Sequence, residues 1–168
     1  PVCLASPLRD VYKRQEELGR VTRIVSDMLF LAHVSHPAAL IPFEAIALHE
    51  EAEKVVELFS LTAEEKDIKL NVSGYATING DRLMVQRAIS NLLSNAIRHS
   101  PEGSKIDIDL VTNATNATLA VSNPGAGIPP EHLPKLFERF YRVDRGRSRA
   151  DGGTGLGLAL SLIHISDG

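Results

Sequence analysis

Residues 81–100 read DRLMVQRAISNLLSNAIRHS, and the fold turns on how this stretch is taken. Leu83, Val85, Ala88, Ile89, Leu92, Leu93 and Ala96 recur at helical spacing, which predicts an amphipathic helix from Arg82 to Arg98 with these residues inward. Asp81, just before it, carries the short carboxylate of an N-cap. Asn91 and Asn95 are four apart and Arg98 is three further on, so all three project from one helical face. Asn is a poor helix former, and two on one face invite a reason. An amide oxygen is a hard, neutral ligand able to complete a Mg²⁺ shell shared with phosphate oxygens, which Arg98 and His99 would then meet. The same residues also fit a solvent-facing polar helix end.

Working outward, residues 68–73 (IKLNVS) alternate as a half-buried strand closed by Gly74, and Ala76 to Ile78 supply a second short strand. Between Glu50 and Glu65, Ala52, Val55, Val56, Leu58 and Phe59 stand at helical spacing, and residues 43–48 (FEAIAL) suit another short strand. Downstream, Ile106, Ile108 and Leu110 alternate with Asp107 and Asp109, and Leu119 and Val121 alternate beyond the polar tract 112–118. These predict an antiparallel pair covered on one face by helices. Further upstream, Leu18, Val21, Val25, Met28 and Ala32, widened by Ile24 and Leu31, mark a helix over residues 16–33 whose stripe seeks partner helices. Pro37 and Pro42 end it and make a linker, and residues 1–15 show no clean period.

Residues 123–155 are rich in Gly, Pro and Arg and read as a long mobile loop, which inside a compact domain is usually functional. It opens on Asn123-Pro124-Gly125-Ala126-Gly127-Ile128, where two glycines without Cβ atoms let backbone approach a ligand closely. A plain strand-exit turn explains that cluster too. It closes on Gly152-Gly153-Thr154-Gly155-Leu156-Gly157-Leu158, leading into an apolar run. Glycines before a helix N-terminus offer N–H groups and a positive dipole end to an anion. No Lys-Ser/Thr follows, so this is not a Walker loop.

Composition bounds these readings. The chain has 168 residues, and 18 Lys+Arg against 21 Asp+Glu leave a net charge of −3. A mildly acidic chain does not look like a nucleic-acid binder, whose phosphate contacts want a basic face. The single cysteine, Cys3, excludes an intramolecular disulfide framework and any Cys-rich metal site. No apolar run reaches the roughly 18–20 residues that span a bilayer, and the first residues lack a signal-peptide layout. With Trp absent and aromatics at 5%, Leu, Ile, Val and Ala must build the core. The six histidines make no compelling metal site, and His33 and His36 read as exposed.

Taken in order, the clusters are specific. The sequence resembles the ATP-binding catalytic domain of sensor histidine kinases, within the wider gyrase–Hsp90–kinase–MutL (GHKL) superfamily. Residues 91–100 resemble its N box, 123–128 its first glycine box, Leu136 to Arg142 its F box and 153–158 (GTGLGL) its second glycine box. The Asn-Pro-Gly, Pro-Pro-Glu-His-Leu-Pro and Phe-Tyr-Arg-Val-Asp runs look most like the heavy-metal (copper/silver) sensor branch.

That resemblance implies an α/β (α+β) two-layer sandwich of helices on a mixed, mainly antiparallel sheet, a Bergerat-type ATP-binding fold. It implies ATP and Mg²⁺ as cofactors, with Asn95 on the metal and Asn91, Arg98 and His99 near the phosphates, Asn91 and Arg98 serving catalysis. Asn123, Gly125, Gly127, Ile128, Tyr141, Arg142, Gly153, Thr154, Gly155, Leu156, Gly157 and Leu158 complete the nucleotide site. Most kinases carry Asp where this chain has Asn123, whose carbonyl oxygen can still accept from the adenine amino group, without charge assistance. The ATP-hydrolysing members place a Glu where Asn91 sits, to activate water, and a neutral amide cannot take that proton. That disfavours the alternative of an ATP-hydrolysing machine; an anti-sigma-type serine kinase module would usually lack a hairpin helix.

The implied layout is a non-native or disordered flank at 1–15, the second helix of a dimerisation hairpin at 16–36, a linker at 37–42 and the catalytic domain at 43–160. Residues 124–155 would form its lid, and 161–168 a truncated or foreign tail. The expected partners are a response regulator receiver domain and a hairpin helix of the same or a partner subunit in a homodimer, the whole being a cytoplasmic part of a bacterial inner-membrane protein. The first hairpin helix with its phosphoacceptor His is expected to be missing, since Pro37 would break the helix His36 needs; the chain alone is then not expected to autophosphorylate. The strands that should follow Leu156 to Ile163 are likewise expected to be missing, leaving an open sheet edge.

Overall fold

The computed structural model describes residues 44–114, 116–125, 127–138 and 141. The helix expected over 16–33, the flanks and the second glycine box lie outside these residues. Strand β1 (Glu44–Ala47) leads into helix α1 (Leu48–Glu64), then β2 (Lys69–Gly74) and β3 (Thr77–Gly80). Helix α2 (Arg82–His99), β4 (Lys105–Thr112), β5 (Ala117–Ser122) and a 3₁₀ helix (Pro130–Lys135) follow.

Two small sheets result. β1 and β3 pair antiparallel, Ile46 opposite Ile78. The larger sheet has the order β2-β4-β5. β4 and β5 run antiparallel with Ile108 opposite Val121, as the alternating sequence predicts. β2 and β4 run parallel, Asn71 opposite Asp107 and Ser73 opposite Asp109. Parallel strands need a long crossover, and here β3 and α2 supply it.

The period-two pattern of β4 decides the layering. Ile106, Ile108 and Leu110 are buried, and the first two pack with Ala52, Val55 and Ala63 of α1 and Ile89, Leu93, Ala96 and Ile97 of α2. Burying side chains of this size contributes roughly 1.5–3 kcal/mol each. Asp107 and Asp109 face the other way into a polar ladder. Asn71 Nδ2 donates to Asp107 at 2.9 Å, and Ser73 Oγ donates to Asp109 at 2.6 Å. A second cluster of Ile46, Leu48, Ala76 and Leu110 joins the small sheet to the large one. The helices therefore cover one face of the sheet, the expected two-layer arrangement.

Two leucines depart from the sequence reading. Leu83, expected inward, is 65% exposed, and Met84 is buried in its stead. Helix angle alone does not separate the two, since at about 100° per residue Leu83 lies about 120° and Met84 about 140° round from Ile89. Leu58 of α1, grouped by its spacing with Val55, is 78% exposed although it lies only about 60° round from Val55. Part of the expected loop 124–155 is a 3₁₀ helix, for which Pro130 at the helix start sets φ.

Candidate functional site

The site is built on α2, whose ends are both fixed. At its start Asp81 Oδ1 accepts from Leu83 N–H at 2.7 Å and Met84 N–H at 3.2 Å, the cap that the sequence predicts. That fixed start sets the rotation of Asn91, Asn95 and Arg98, three half-buried side chains on the helix face away from Ile89 and Leu93. His99, one residue on, is exposed.

At the other end, the last four carbonyls of a helix lack intrahelical partners. Here the Ala96 carbonyl accepts from Ser100 N–H at 3.0 Å and from Ser100 Oγ at 2.7 Å. Lys66 Nζ donates to the Ile97 carbonyl at 3.0 Å and the Arg98 carbonyl at 3.4 Å, bringing a positive charge to the negative end of the helix dipole. The last carbonyl, on His99, faces Gly125, where a Cβ would sit 3.2 Å from that oxygen.

That last contact comes from the turn after β5. Asn123 leaves the strand and its Nδ2 donates to Ser100 Oγ and to the Pro124 carbonyl, each at 3.2 Å. The end of the Asn-rich helix and the first glycine cluster, more than twenty residues apart in sequence, thus meet at one corner. Its two glycines serve different ends. Gly125 is small because backbone approaches it, whereas Gly127 has φ 71° with open space around it, a left-handed turn that favours glycine. Ile128 beyond it is 44% exposed.

Tyr141 lies further along, its hydroxyl 2.6 Å from His132 Nδ1 on the 3₁₀ helix. Arg142, Gly153, Thr154, Gly155, Leu156, Gly157 and Leu158 lie outside the described residues. Lys66 lies outside the sequence clusters, and Ser100 closes the 91–100 cluster without a role of its own there. Ser100-Pro101 at a helix end is the one signal that marks the serine, because proline cannot continue the helix and serine caps it.

The donor set is chemically restrained. Among the described residues no group of three or more His, Cys, Asp or Glu side chains is placed to hold a metal ion. Asn91 and Asn95 are neutral amides, so a cation here would need a polyanionic ligand to bring most of its shell. That fits a magnesium ion arriving with phosphates and does not fit a protein-caged metal.

The family model of histidine kinase-, DNA gyrase B-, and HSP90-like ATPases matches residues 80–167, which takes in both halves of this corner. The chain belongs to that family. It is 44% identical over 155 residues to the sensor histidine kinase CusS of Escherichia coli K12, covering 91% of this chain and 32% of CusS. It is 40% identical over 157 residues to the sensor protein IrlS of Burkholderia pseudomallei, covering 93% of this chain and 34% of that protein. The chain therefore spans about a third of the length of the curated relatives it matches. Among solved structures, the nucleotide-free catalytic domain of the histidine kinase ThkA superposes with a TM-score of 0.65 at 28% identity, covering 74% of this chain and 80% of that one. The mycobacterial sensor histidine kinase MprB does so at 0.61 and 29%, covering 73% and 80%. The two-layer fold is the one these catalytic domains share.

Proposed function

We propose that this chain is the ATP-binding catalytic part of a two-component sensor histidine kinase, positioning Mg·ATP for phosphoryl transfer to a histidine on a dimerisation hairpin. The observation that carries the reading is the corner where Asn123 and Gly125 close on the end of α2, the helix that carries Asn95, Arg98 and His99. Asn95 is the magnesium ligand, through its amide oxygen. Arg98 donates charge-assisted hydrogen bonds to phosphate oxygens, with Asn91 and His99 beside it. Asn123 accepts from the adenine amino group, and Gly125, Gly127 and Ile128 keep the base side open. Tyr141 and Arg142 belong to the lid, residues 124–155, and the glycine run that begins at Gly153 and continues to Leu158 covers the phosphates. Phosphoryl transfer asks for positioning and electrostatic stabilisation rather than a strong base, which suits neutral amides with one arginine.

A response regulator receiver domain would take the phosphoryl group onward, and the heavy-metal responsiveness implied by the resemblance would lie in the wider protein. Among the described residues no helix is long and apolar enough to cross a membrane; a cytoplasmic position, in a protein of the inner membrane, is part of the same reading. Calorimetric titration of the full chain with ATP and Mg²⁺ tests it. Asn95→Ala should lose the magnesium-dependent part of the affinity, a weakening of about tenfold or more, with the fold intact. Equal affinity in both proteins would remove Asn95 from its role, and no binding by the unaltered chain would remove the reading.

A further inference from the structure

We propose that Ser100 is a positioning residue that fixes base selectivity, by holding the Asn123 amide with its nitrogen inward and its oxygen outward. The inference rests on the nucleotide reading above and adds which end of the amide meets the base. An asparagine amide is a donor at one end and an acceptor at the other, nearly isosteric on a half-turn. A freely flipping Asn123 would accept from the 6-amino group of adenine in one orientation. In the other it would donate to the 6-oxo group of guanine or hypoxanthine, so the residue by itself chooses neither.

The surroundings choose. Ser100 Oγ donates its proton to the Ala96 carbonyl at 2.7 Å, and in that arrangement it turns a lone pair to Asn123. The Pro124 carbonyl also offers only lone pairs, and both acceptors lie 3.2 Å from Nδ2. Flipping the amide would set Oδ1 against the Pro124 carbonyl and would draw the Ser100 hydroxyl proton away from the Ala96 carbonyl. Ser100 is 7% exposed, so its end of the contact is sheltered, while Asn123 itself is exposed and presents its outer end to solvent and ligand. Gly125 holds the corner tight, because a Cβ there would stand 3.2 Å from the His99 carbonyl and 3.6 Å from Nδ2. The outward end is thus an acceptor, complementary to a base that presents an amino group.

The test is the ratio of affinities for ADP and inosine diphosphate, which carries a 6-oxo group, measured by calorimetry on the full chain with Mg²⁺. The unaltered protein should prefer ADP. Ser100→Ala should shrink the ratio by about fivefold, the worth of one neutral hydrogen bond, while Ser100→Thr keeps it. In an Asn123→Asp background the carboxylate has no donor end, so Ser100→Ala should leave the ratio where it was. An unchanged ratio in Ser100→Ala, with Asn123→Ala still weakening ADP, overturns the lock and leaves the nucleotide reading standing. Failure of the unaltered chain to bind ADP overturns both. If Ser100→Ala does not fold, nuclear Overhauser contacts between the Asn123 side-chain amide protons and Ser100 in the unaltered chain decide it. Their presence supports the lock and their absence overturns it.

Discussion

Glu51, on the first turns of α1, has no exposed surface, yet it carries a charge. Lys54 Nζ donates to Oε1 at 2.8 Å, Gln86 Nε2 donates to Oε2 at 2.5 Å, and the Arg82 guanidinium donates to Oε1 as well. Arg82 also reaches Glu44 at 2.8 Å, so the carboxylate ties α1 to α2 and, through the arginine, to β1. Glu51→Gln keeps the volume and removes the charge, and it turns one acceptor end into a donor facing donors. Hydrogen bonds to a charged group are worth roughly 1.5–3 kcal/mol. Lys54 and Arg82 are part exposed, at 54% and 38%, and recover some hydration, so we expect a net cost of about 2 kcal/mol. For a chain of this size that lowers Tm by about 4–8 °C. Burial pushes the Glu51 carboxyl up, but the donors Lys54, Gln86 and Arg82 together outweigh it and hold it below its ordinary value of 4.5. A lowered folded value means the stabilisation is present above the ordinary value and is lost as the pH falls through the folded one. The gap between the two proteins should therefore be full at pH 7 and narrow progressively below pH 4.5. Urea midpoints followed by circular dichroism across this range measure it. Equal midpoints at pH 7, or a gap that stays constant on acidification, would refute the reasoning.

Two further substitutions probe the frame that positions the site. Gly74→Ala would put a Cβ 2.0 Å from the Leu110 carbonyl oxygen at φ 77°, so β2 or β4 must shift; the left-handed strain and overpacking together should cost about 2–5 kcal/mol, and a urea-derived loss below about 1 kcal/mol would contradict the close approach. Asp81→Ala removes both hydrogen bonds at the start of α2 and should cost about 1 kcal/mol, with amide exchange quickening at Leu83 and Met84; unchanged exchange there would show that the cap is not needed.

What the sequence disclosed follows from what leaves a periodic mark. The alternation of Ile106, Ile108 and Leu110 with two aspartates fixes a strand with one buried face, and the burial of all three matches it. Asp81 stands immediately before a helical run, where a short carboxylate has one obvious task. Leu58 and Leu83 fail because spacing marks a stripe but not which of its edges the neighbouring elements cover. The parallel pairing of β2 with β4 is invisible for another reason, since both strands look alike whichever neighbour they take and the choice is made by the crossover. Lys66 and Ser100 are hidden more deeply, because their partners are backbone carbonyls, which every residue possesses. Their joint effect explains how neutral residues hold a precise corner. With the end of α2 satisfied by a lysine and a serine, the His99 carbonyl meets Gly125 and the Asn123 amide meets Ser100 without a carboxylate in the turn. A carboxylate has two equivalent acceptor oxygens and no donor end for Ser100 and Pro124; an asparagine has one donor end, and Ser100 and Pro124 take it. On this account Asn123 and Ser100 act as one unit, and a change at either residue should alter the other's contribution to base binding.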